Sequence, residues 1–288
     1  MRSHVSTLIP CALAATMMLA VGSPTFAQSR YATQVIDYDP GSTPVAGYTD
    51  SSTALGTPER MTGEGTPYLG AVTMFNAPWG TDEVVSIGED GYITLTFDRP
   101  ITNDPSHLYG QDFILFANAG FIDTDYPNGL IGGVFGNDDA LVEVSADGSD
   151  WRTVSHNLAD GLFPMQAYRD VGPFDTSPGL VPTNFLKPMN PSLTYADFAG
   201  LDYADALAFY GLSGGGTPID IAATGLTSVE YVRITVLDDG DSGTGLNFEL
   251  DAISVVPEPA TAGMLVAGLI LTCRRRRPFV SLRPWLEI

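Results

Sequence analysis

Apolar and polar residues alternate with a period of two in several short runs of the chain. In the run from Tyr92 to Phe97, Ile93, Leu95 and Phe97 fall on one face and threonines on the other. β-Branched and aromatic residues fill such runs, and Gly and Pro separate them, as in strands joined by turns. The runs are Tyr92 to Phe97, Asp112 to Ala117, Ala140 to Ala146, Ser149 to Ser155, Val229 to Val236 and Asn247 to Val256. They predict an all-β fold, an antiparallel β-sandwich.

Turn chemistry predicts one hairpin directly. Asp147-Gly148 lies between two of the strand runs, and Gly148 accepts the positive φ that a tight turn requires. The run from Asp112 to Ala117 is apolar throughout, which is typical of a strand in the interior of a sheet.

The segment 160–216 breaks this rhythm. It is rich in Pro, Gly, Asp and aromatic residues, and its pattern predicts one short helix near Tyr195 to Phe209. A loop of this length is uncommon unless it folds on itself or carries function. We interpret the segment as a long irregular excursion from one end of the sandwich. Since neither a repeat nor a second domain is visible, residues 28–254 are predicted to form one domain.

Residues 1–27 have the layout of a secretory signal peptide, whose apolar part is a signal helix. Arg2 gives a positive start, an apolar stretch runs from Leu8 to Val21, and Thr25 and Ala27 occupy the −3 and −1 positions of a cleavage site after Ala27. The alternative interpretation is a buried N-terminal helix.

The other end of the chain combines three unlike elements in order. Pro257, Glu258 and Pro259 precede an apolar stretch from Ala260 to Thr272, and an arginine cluster follows. The cluster consists of Arg274, Arg275, Arg276 and Arg277. This order, over residues 255–278, resembles the PEP-CTERM sorting signal of exported bacterial proteins. It departs from the usual pattern in the tail that continues past the basic cluster, residues 279–288.

The resemblance implies a temporary stop in the membrane. The 13 apolar residues from Ala260 to Thr272 reach roughly 20 Å as a helix, and flanking residues extend this C-terminal transmembrane helix toward the bilayer thickness. The arginines would stay on the cytoplasmic side. In the family a membrane enzyme, an exosortase, recognises the tail and cuts near the Pro-Glu-Pro motif. A plain C-terminal membrane anchor is the alternative.

Composition limits the classes of partner. Between Gln28 and Val256 the chain has seven Lys and Arg against 32 Asp and Glu, a net charge near −25. Such a surface repels nucleic acid and anionic lipid and attracts cations, although it also simply keeps an exported protein dispersed. Cys11 and Cys273 lie in the two ends, so the domain has no disulfide, cysteine nucleophile or thiolate metal site.

The body carries a second resemblance. The stretch from Ala140 to Val154, a strand, an Asp-Gly turn and a Trp-containing strand, looks like discoidin-type galactose-binding jelly rolls. Most of Thr81 to Val256 also resembles uncharacterised cell-surface proteins with PEP-CTERM tails. The resemblance implies a jelly-roll sandwich and names no ligand.

Calcium is the metal that the sequence favours, because hard cations take oxygen ligands from loops. One candidate set comes from a Gly-rich loop and another from the first and last strands, as in jelly-roll carbohydrate modules. The candidate ligands are Asp238, Asp239, Asp241, Asp37, Asp39 and Asp251, and a further Asp-rich loop contains Asp123, Asp125 and Asn128. The alternative is that these residues serve only as turn formers.

Signals for catalysis are weak. The stretch from Gly211 to Gly215 fits the G-x-S-x-G elbow around Ser213, but no helix pattern follows it and every histidine precedes it. His107 and His156 lack a spaced partner, which disfavours zinc and copper. So many acids are present that a glycosidase pair cannot be picked from sequence. Aromatic side chains that a sugar could contact are Trp79, Tyr126, Tyr168 and Tyr203.

Three functions follow as expectations. The first is a non-catalytic, exported cell-surface or extracellular-matrix protein that binds extracellular polysaccharide. The second is a secreted hydrolase acting on polysaccharide, for which a cleft with facing carboxylates and a raised pKa would speak. The third is a structural module whose excursion contacts a protein partner through an exposed apolar patch.

Overall fold

The structure is a computed structural model, and it describes residues 29–136, 138, 140–155, 161–237 and 247–258. Antiparallel strands dominate these residues and helices are few, which confirms the predicted all-β class. The proposed signal helix and transmembrane helix lie outside the described residues. Among the residues described, no helix has the length and apolar character needed to cross a bilayer.

Thirteen strands are numbered here in chain order. They are β1 (Ala32–Asp39), β2 (Met61–Thr62), β3 (Gly70–Ala71), β4 (Val85–Gly88), β5 (Tyr92–Thr102), β6 (Phe113–Ala117), β7 (Gly120–Asp123), β8 (Ile131–Phe135), β9 (Leu141–Ser145), β10 (Trp151–Ser155), β11 (Thr217–Ile219), β12 (Ser228–Thr235) and β13 (Asn247–Val255).

Two sheets form the sandwich. One has the order β1-β5-β12-β9-β10 and the other the order β11-β6-β13-β4, with every pairing antiparallel. Alternation along β5 sends Ile93 and Leu95 to the interior, where both are fully buried against residues of the opposite sheet such as Phe248. Burial of these alternate positions fixes the register of the strands, since a slip by one residue would expose the whole apolar set.

The hairpin predicted at Asp147-Gly148 joins β9 to β10. Trp151 pairs with Ser145, so the connection has five residues, and Gly148 adopts φ of 77°. The Asp147 carboxylate accepts the backbone N–H groups of Ser149 and Asp150 at 2.8 and 3.0 Å. These backbone hydrogen bonds lower the pKa of Asp147 to about 2. The turn is therefore set by local hydrogen bonds, as its sequence suggested.

The excursion is packed against the sandwich. Ile114 and Phe116 of β6 direct their side chains away from the shared core, and residues 163–185 cover this outer face. Phe116 meets Phe185 edge to face with ring centroids 5.2 Å apart. The four-stranded sheet is consequently buried on both faces, which explains why β6 reads as continuously apolar.

Arg60 fastens the excursion to the sandwich. Its guanidinium donates to the backbone carbonyls of Ala167 and Thr183, the latter at 3.0 Å, and lies 4.3 Å from the Phe185 ring centroid. Burial lowers the pKa of Arg60, which nevertheless keeps its charge because its ordinary value is so high.

A second cluster of apolar side chains lies within the excursion itself. Two short helices, α1 (Tyr195–Phe198) and α2 (Tyr203–Tyr210), replace the single helix expected there. Gly200 at φ of 79° interrupts the helical path, and Asp202 caps α2 by accepting the Asp205 N–H at 2.9 Å. Buried side chains of both helices then pack on the β7–β8 ribbon and on residues 74–75.

Candidate functional site

A cleft of about 210 Å³ opens beside the four-stranded sheet, next to the exposed end of β13. Its walls come from the loop before β4, from the residue that follows β6 and from β13. The lining residues are Val45, Tyr48, Trp79, Asn118 and Glu249. The cleft thus combines two aromatic side chains with one amide and one carboxyl.

Glu83 organises the loop that carries Trp79. Its buried carboxylate accepts hydrogen bonds from the Thr62 hydroxyl at 2.5 Å, the Gly63 N–H at 2.8 Å, the Trp79 N–H at 3.0 Å and the Gly80 N–H at 2.8 Å. Four donors on one carboxylate hold the backbone on either side of Trp79 in a single conformation. The Trp79 side chain is therefore presented by a rigid loop.

Tyr48 joins the two aromatic walls. Its hydroxyl donates to the Trp79 carbonyl at 2.6 Å. Burial raises the pKa of Tyr48, and the nearby carboxylates Glu83 and Glu249 raise it further. Tyr48 therefore lies between two acidic groups and serves as a hydrogen-bond donor at neutral pH.

Glu249 forms the acidic wall. Its neighbours Phe248 and Leu250 enter the sandwich core, so strand alternation places Glu249 on the outer face, where it pairs in register with Ser86. Ser86 and Asn118 hydrogen bond to its carboxyl. Only 7% of Glu249 is exposed, and this burial, together with the charge of Asp138, raises its pKa to about 7.

Two more buried carboxyls continue the acidic region behind the cleft. Asp251 is 1% exposed and accepts the Glu59 backbone N–H at 3.0 Å. Burial raises the pKa of Asp251 well above its usual range. Burial likewise raises the pKa of Glu59 to about 7, with contributions from the charges of Glu83, Glu64 and Asp82. The charges that act on Glu59, Glu249 and Asp251 are thus those of other carboxylates.

The structure separates the calcium candidates of the first and last strands. Asp37 and Asp39 lie on β1 of the five-stranded sheet, where Asp37 accepts the Tyr92 hydroxyl at 2.6 Å and Asp39 accepts the Gly41 N–H at 3.0 Å. Asp251 lies on the other sheet. In the part of the chain that the structure describes, no three His, Cys, Asp or Glu side chains form a group able to hold a metal. The three remaining candidates, Asp238, Asp239 and Asp241, lie outside the described residues, so calcium stays a prediction.

The Asp-rich loop near residue 125 satisfies its own backbone. The Asp123 carboxylate accepts the N–H groups of Asp125, Gly129 and Leu130 at 2.8, 3.0 and 2.9 Å. Asn128 donates its side-chain amide to Asp125 at 3.3 Å. These bonds are those of a turn, the alternative that the sequence left open.

Ser213 and His107 occupy structural positions. The buried Ser213 hydroxyl donates to the Lys187 carbonyl at 2.6 Å and accepts the Gly215 N–H at 3.2 Å. His107 places Nδ1 2.9 Å from the buried Asp112 carboxylate, which also accepts the Ile221 N–H at 2.9 Å. His156 lies outside the described residues.

Of the four aromatic residues predicted to contact a sugar, Trp79 alone lines the cleft. Tyr203 is buried and accepts a hydrogen bond from Gln166 at 2.7 Å, while Tyr168 packs near the Arg60 guanidinium. Tyr126 is 73% exposed and lies against Phe174 at a centroid distance of 4.9 Å.

The sorting motif is described only in part. Val256 is 2% exposed and donates its N–H to the Asp112 carbonyl at 3.0 Å, whereas Pro257 is half-buried and Glu258 is exposed. Packing in the sandwich therefore reaches Val256 and ends where the motif begins. Several predicted residues lie outside the described part, namely Ala27, Pro259, Arg274, Arg275, Arg276 and Arg277.

Sequence reasoning missed the residues that accompany Trp79. Glu249 carried a usable signal, since it is a charged residue in the otherwise apolar start of β13, on the face opposite Phe248 and Leu250. Tyr48 and Asn118 carried none, because each reaches the cleft through pairing of segments that are far apart in sequence.

A scan against protein-family models and a search of curated proteins both return no match for this chain.

Proposed function

We propose that this chain is an exported, non-catalytic surface or matrix protein that binds carbohydrate through the cleft beside β13. The single observation that carries the proposal is the composition of that cleft, two aromatic walls with a carboxyl and an amide between them. Aromatic rings offer apolar faces to the C–H face of a sugar, and the polar groups fix its hydroxyls. At about 210 Å³ the cleft is smaller than the roughly 300–1,000 Å³ of drug-sized sites, and suits one sugar ring.

The finer architecture belongs to the same proposal. Two antiparallel sheets of five and four strands around one core support a jelly roll of the galactose-binding kind. The sequence of the two termini supports export through residues 1–27 and sorting by an exosortase through residues 255–278. Processing at Pro-Glu-Pro leaves the fold intact, because burial ends at Val256.

Binding of simple sugars to the native exported product tests the ligand. The Trp79→Ala variant should bind about tenfold more weakly or worse, because truncating a central aromatic contact typically costs this much. Trp151→Ala is the matched control, since Trp151 lies on β10 of the other sheet, where Arg233 stacks over it at 3.7 Å. Equal loss in both variants, or no sugar binding by the unaltered protein, would refute the proposal. The intact mass of the same product tests loss of both termini.

A polysaccharide hydrolase is the second candidate, favoured by the raised pKa of Glu249, which is the property of a general acid. Among the described lining residues Glu249 is the one carboxyl, whereas glycosidases use two across the scissile bond. Release of reducing ends from a polysaccharide, abolished in Glu249→Gln, would establish this candidate in place of binding alone.

A protein-contacting module is the third candidate. Four large apolar side chains of the excursion are exposed, with Leu180 the most exposed at 91%. They are Leu180, Val181, Phe209 and Leu212. Replacing Leu180 by Ser should abolish any such association while leaving sugar binding intact.

A further inference from the structure

The acidic groups around the cleft form one connected region. Tyr48 lies within electrostatic reach of both Glu249 and Glu83, and Glu83 in turn acts on Glu59 and Asp251. Asp138 acts on Glu249 from the loop before β9. Every element packed around Glu249 therefore presents either a neutral polar group, as Ser86 and Asn118 do, or a negative one.

Positive charge is absent from this region in the described residues. The two ion pairs found there, His107 with Asp112 and Arg152 with Asp150, lie elsewhere. Arg60 adjoins Glu59 in sequence, but its guanidinium donates to two backbone carbonyls under the excursion. A bound cation would therefore supply the compensation that the fold does not.

Asn118 adds an independent sign of a missing donor. Its amide hydrogen bonds to the Glu249 carboxyl, which directs Nδ2 toward that group. Its Oδ1 atom is buried and has no hydrogen-bond partner, although Asn118 lines the cleft. A buried acceptor without a donor costs free energy, and a ligand N–H at this position would remove that cost.

We propose that the cleft selects a sugar bearing a free, protonated amine, with the ammonium between Glu249 and Asn118 and the ring against Trp79. This inference rests on the carbohydrate binding proposed above and specifies the sugar. An ammonium group has three donors and no acceptor, which matches a site that offers a carboxylate and a bare carbonyl oxygen. A neutral sugar would contact the same aromatic walls and leave the acidic region uncompensated.

Three ligands with the same ring separate the possibilities: glucosamine, N-acetylglucosamine and glucose, titrated into the full-length native product by calorimetry. Glucosamine should bind at least about tenfold more tightly than the other two, since a charge-assisted hydrogen bond is roughly twice as strong as a neutral one. Glu249→Gln should remove this preference and leave weak binding of all three. Glu230→Gln, an exposed acid on β12, is the matched control and should keep the preference.

Proton linkage gives a second readout. The affinity for glucosamine should rise between about pH 5 and about pH 7, because the carboxyls that attract it become ionised over that interval, and binding should release protons. Glucose binding should not rise in this way. Ethanolamine, an amine without a ring, should bind far more weakly than glucosamine.

The outcomes are distinguishable. Equal binding of the three sugars overturns the amine preference and leaves carbohydrate binding standing, whereas no binding of any sugar overturns both. Equal binding of ethanolamine and glucosamine shows general attraction to a surface of net charge near −25 and also overturns the inference.

Discussion

Replacing Glu249 by Gln should stabilise the protein at neutral and alkaline pH and leave it unchanged in acid. Burial and the charge of Asp138 raise the pKa of Glu249 from 4.5 to about 7 in the folded state. The folded protein therefore holds this proton more tightly than the unfolded chain does. The stability that protonation provides is complete below about pH 4.5 and is lost as the pH rises through about 7. Gln is neutral at every pH and resembles the protonated acid in shape.

The size of the effect follows from the shift. At about 1.4 kcal/mol for each pH unit, a shift from 4.5 to about 7 corresponds to at most about 3 kcal/mol. Glu249 lines an open cleft where water screens its charge, so we expect about 1–3 kcal/mol at pH 8. That is roughly 2–4 °C in melting temperature for each kcal/mol in a domain of this size.

Urea unfolding followed by tryptophan fluorescence, from about pH 4 to about pH 8, measures the effect. The two proteins should agree near pH 4 and separate progressively above about pH 5. Both should retain a further pH dependence from Glu59 and Asp251, which are untouched. Glu230→Gln should run parallel to the unaltered protein throughout. If Glu249→Gln also runs parallel between pH 5 and pH 8, the carboxyl is not buried as described and the reasoning is wrong.

Three further substitutions test the packing around the site. Arg60→Met should destabilise by about 2–4 kcal/mol in urea unfolding, because two buried backbone carbonyls lose their donor; an unchanged midpoint would contradict this. Phe198→Ala should cost about 3–5 kcal/mol and speed hydrogen exchange in the two helices before the sandwich, whereas the half-exposed Phe209→Ala should cost far less. Gly41→Ala should cost about 1–3 kcal/mol more than Gly56→Ala, since both have positive φ but only at Gly41 would a methyl group meet backbone oxygens, at 2.4 and 2.6 Å; equal melting temperatures would exclude that clash.

Strand existence was predictable because each strand declares itself locally. In β5 and β12 the side chains alternate between a buried and a more exposed face, and this alternation is written directly in the residue types. The turn at Asp147-Gly148 was equally local. The excursion was predicted as irregular, but that it covers the outer face of the four-stranded sheet could not be inferred, since its contacts with Phe116 join segments about 70 residues apart.

The candidate site followed the same division. Trp79 was recognised as an exposed aromatic candidate from its type alone. Its partnership with Tyr48 and Glu249 depends on Glu83, whose four hydrogen bonds fix the loop, and on the outward face of β13.

By itself the sequence determined the class of fold, the sign of the surface charge and the presence of two terminal signals, because each of these depends on residue type, order and periodicity. Only the tertiary structure decided which few acids lose contact with water and come to act on one another. The reason is that a carboxyl's pKa depends on its burial and on charges a few ångströms away. In this fold those neighbours are drawn from β4, β13 and three separate loops.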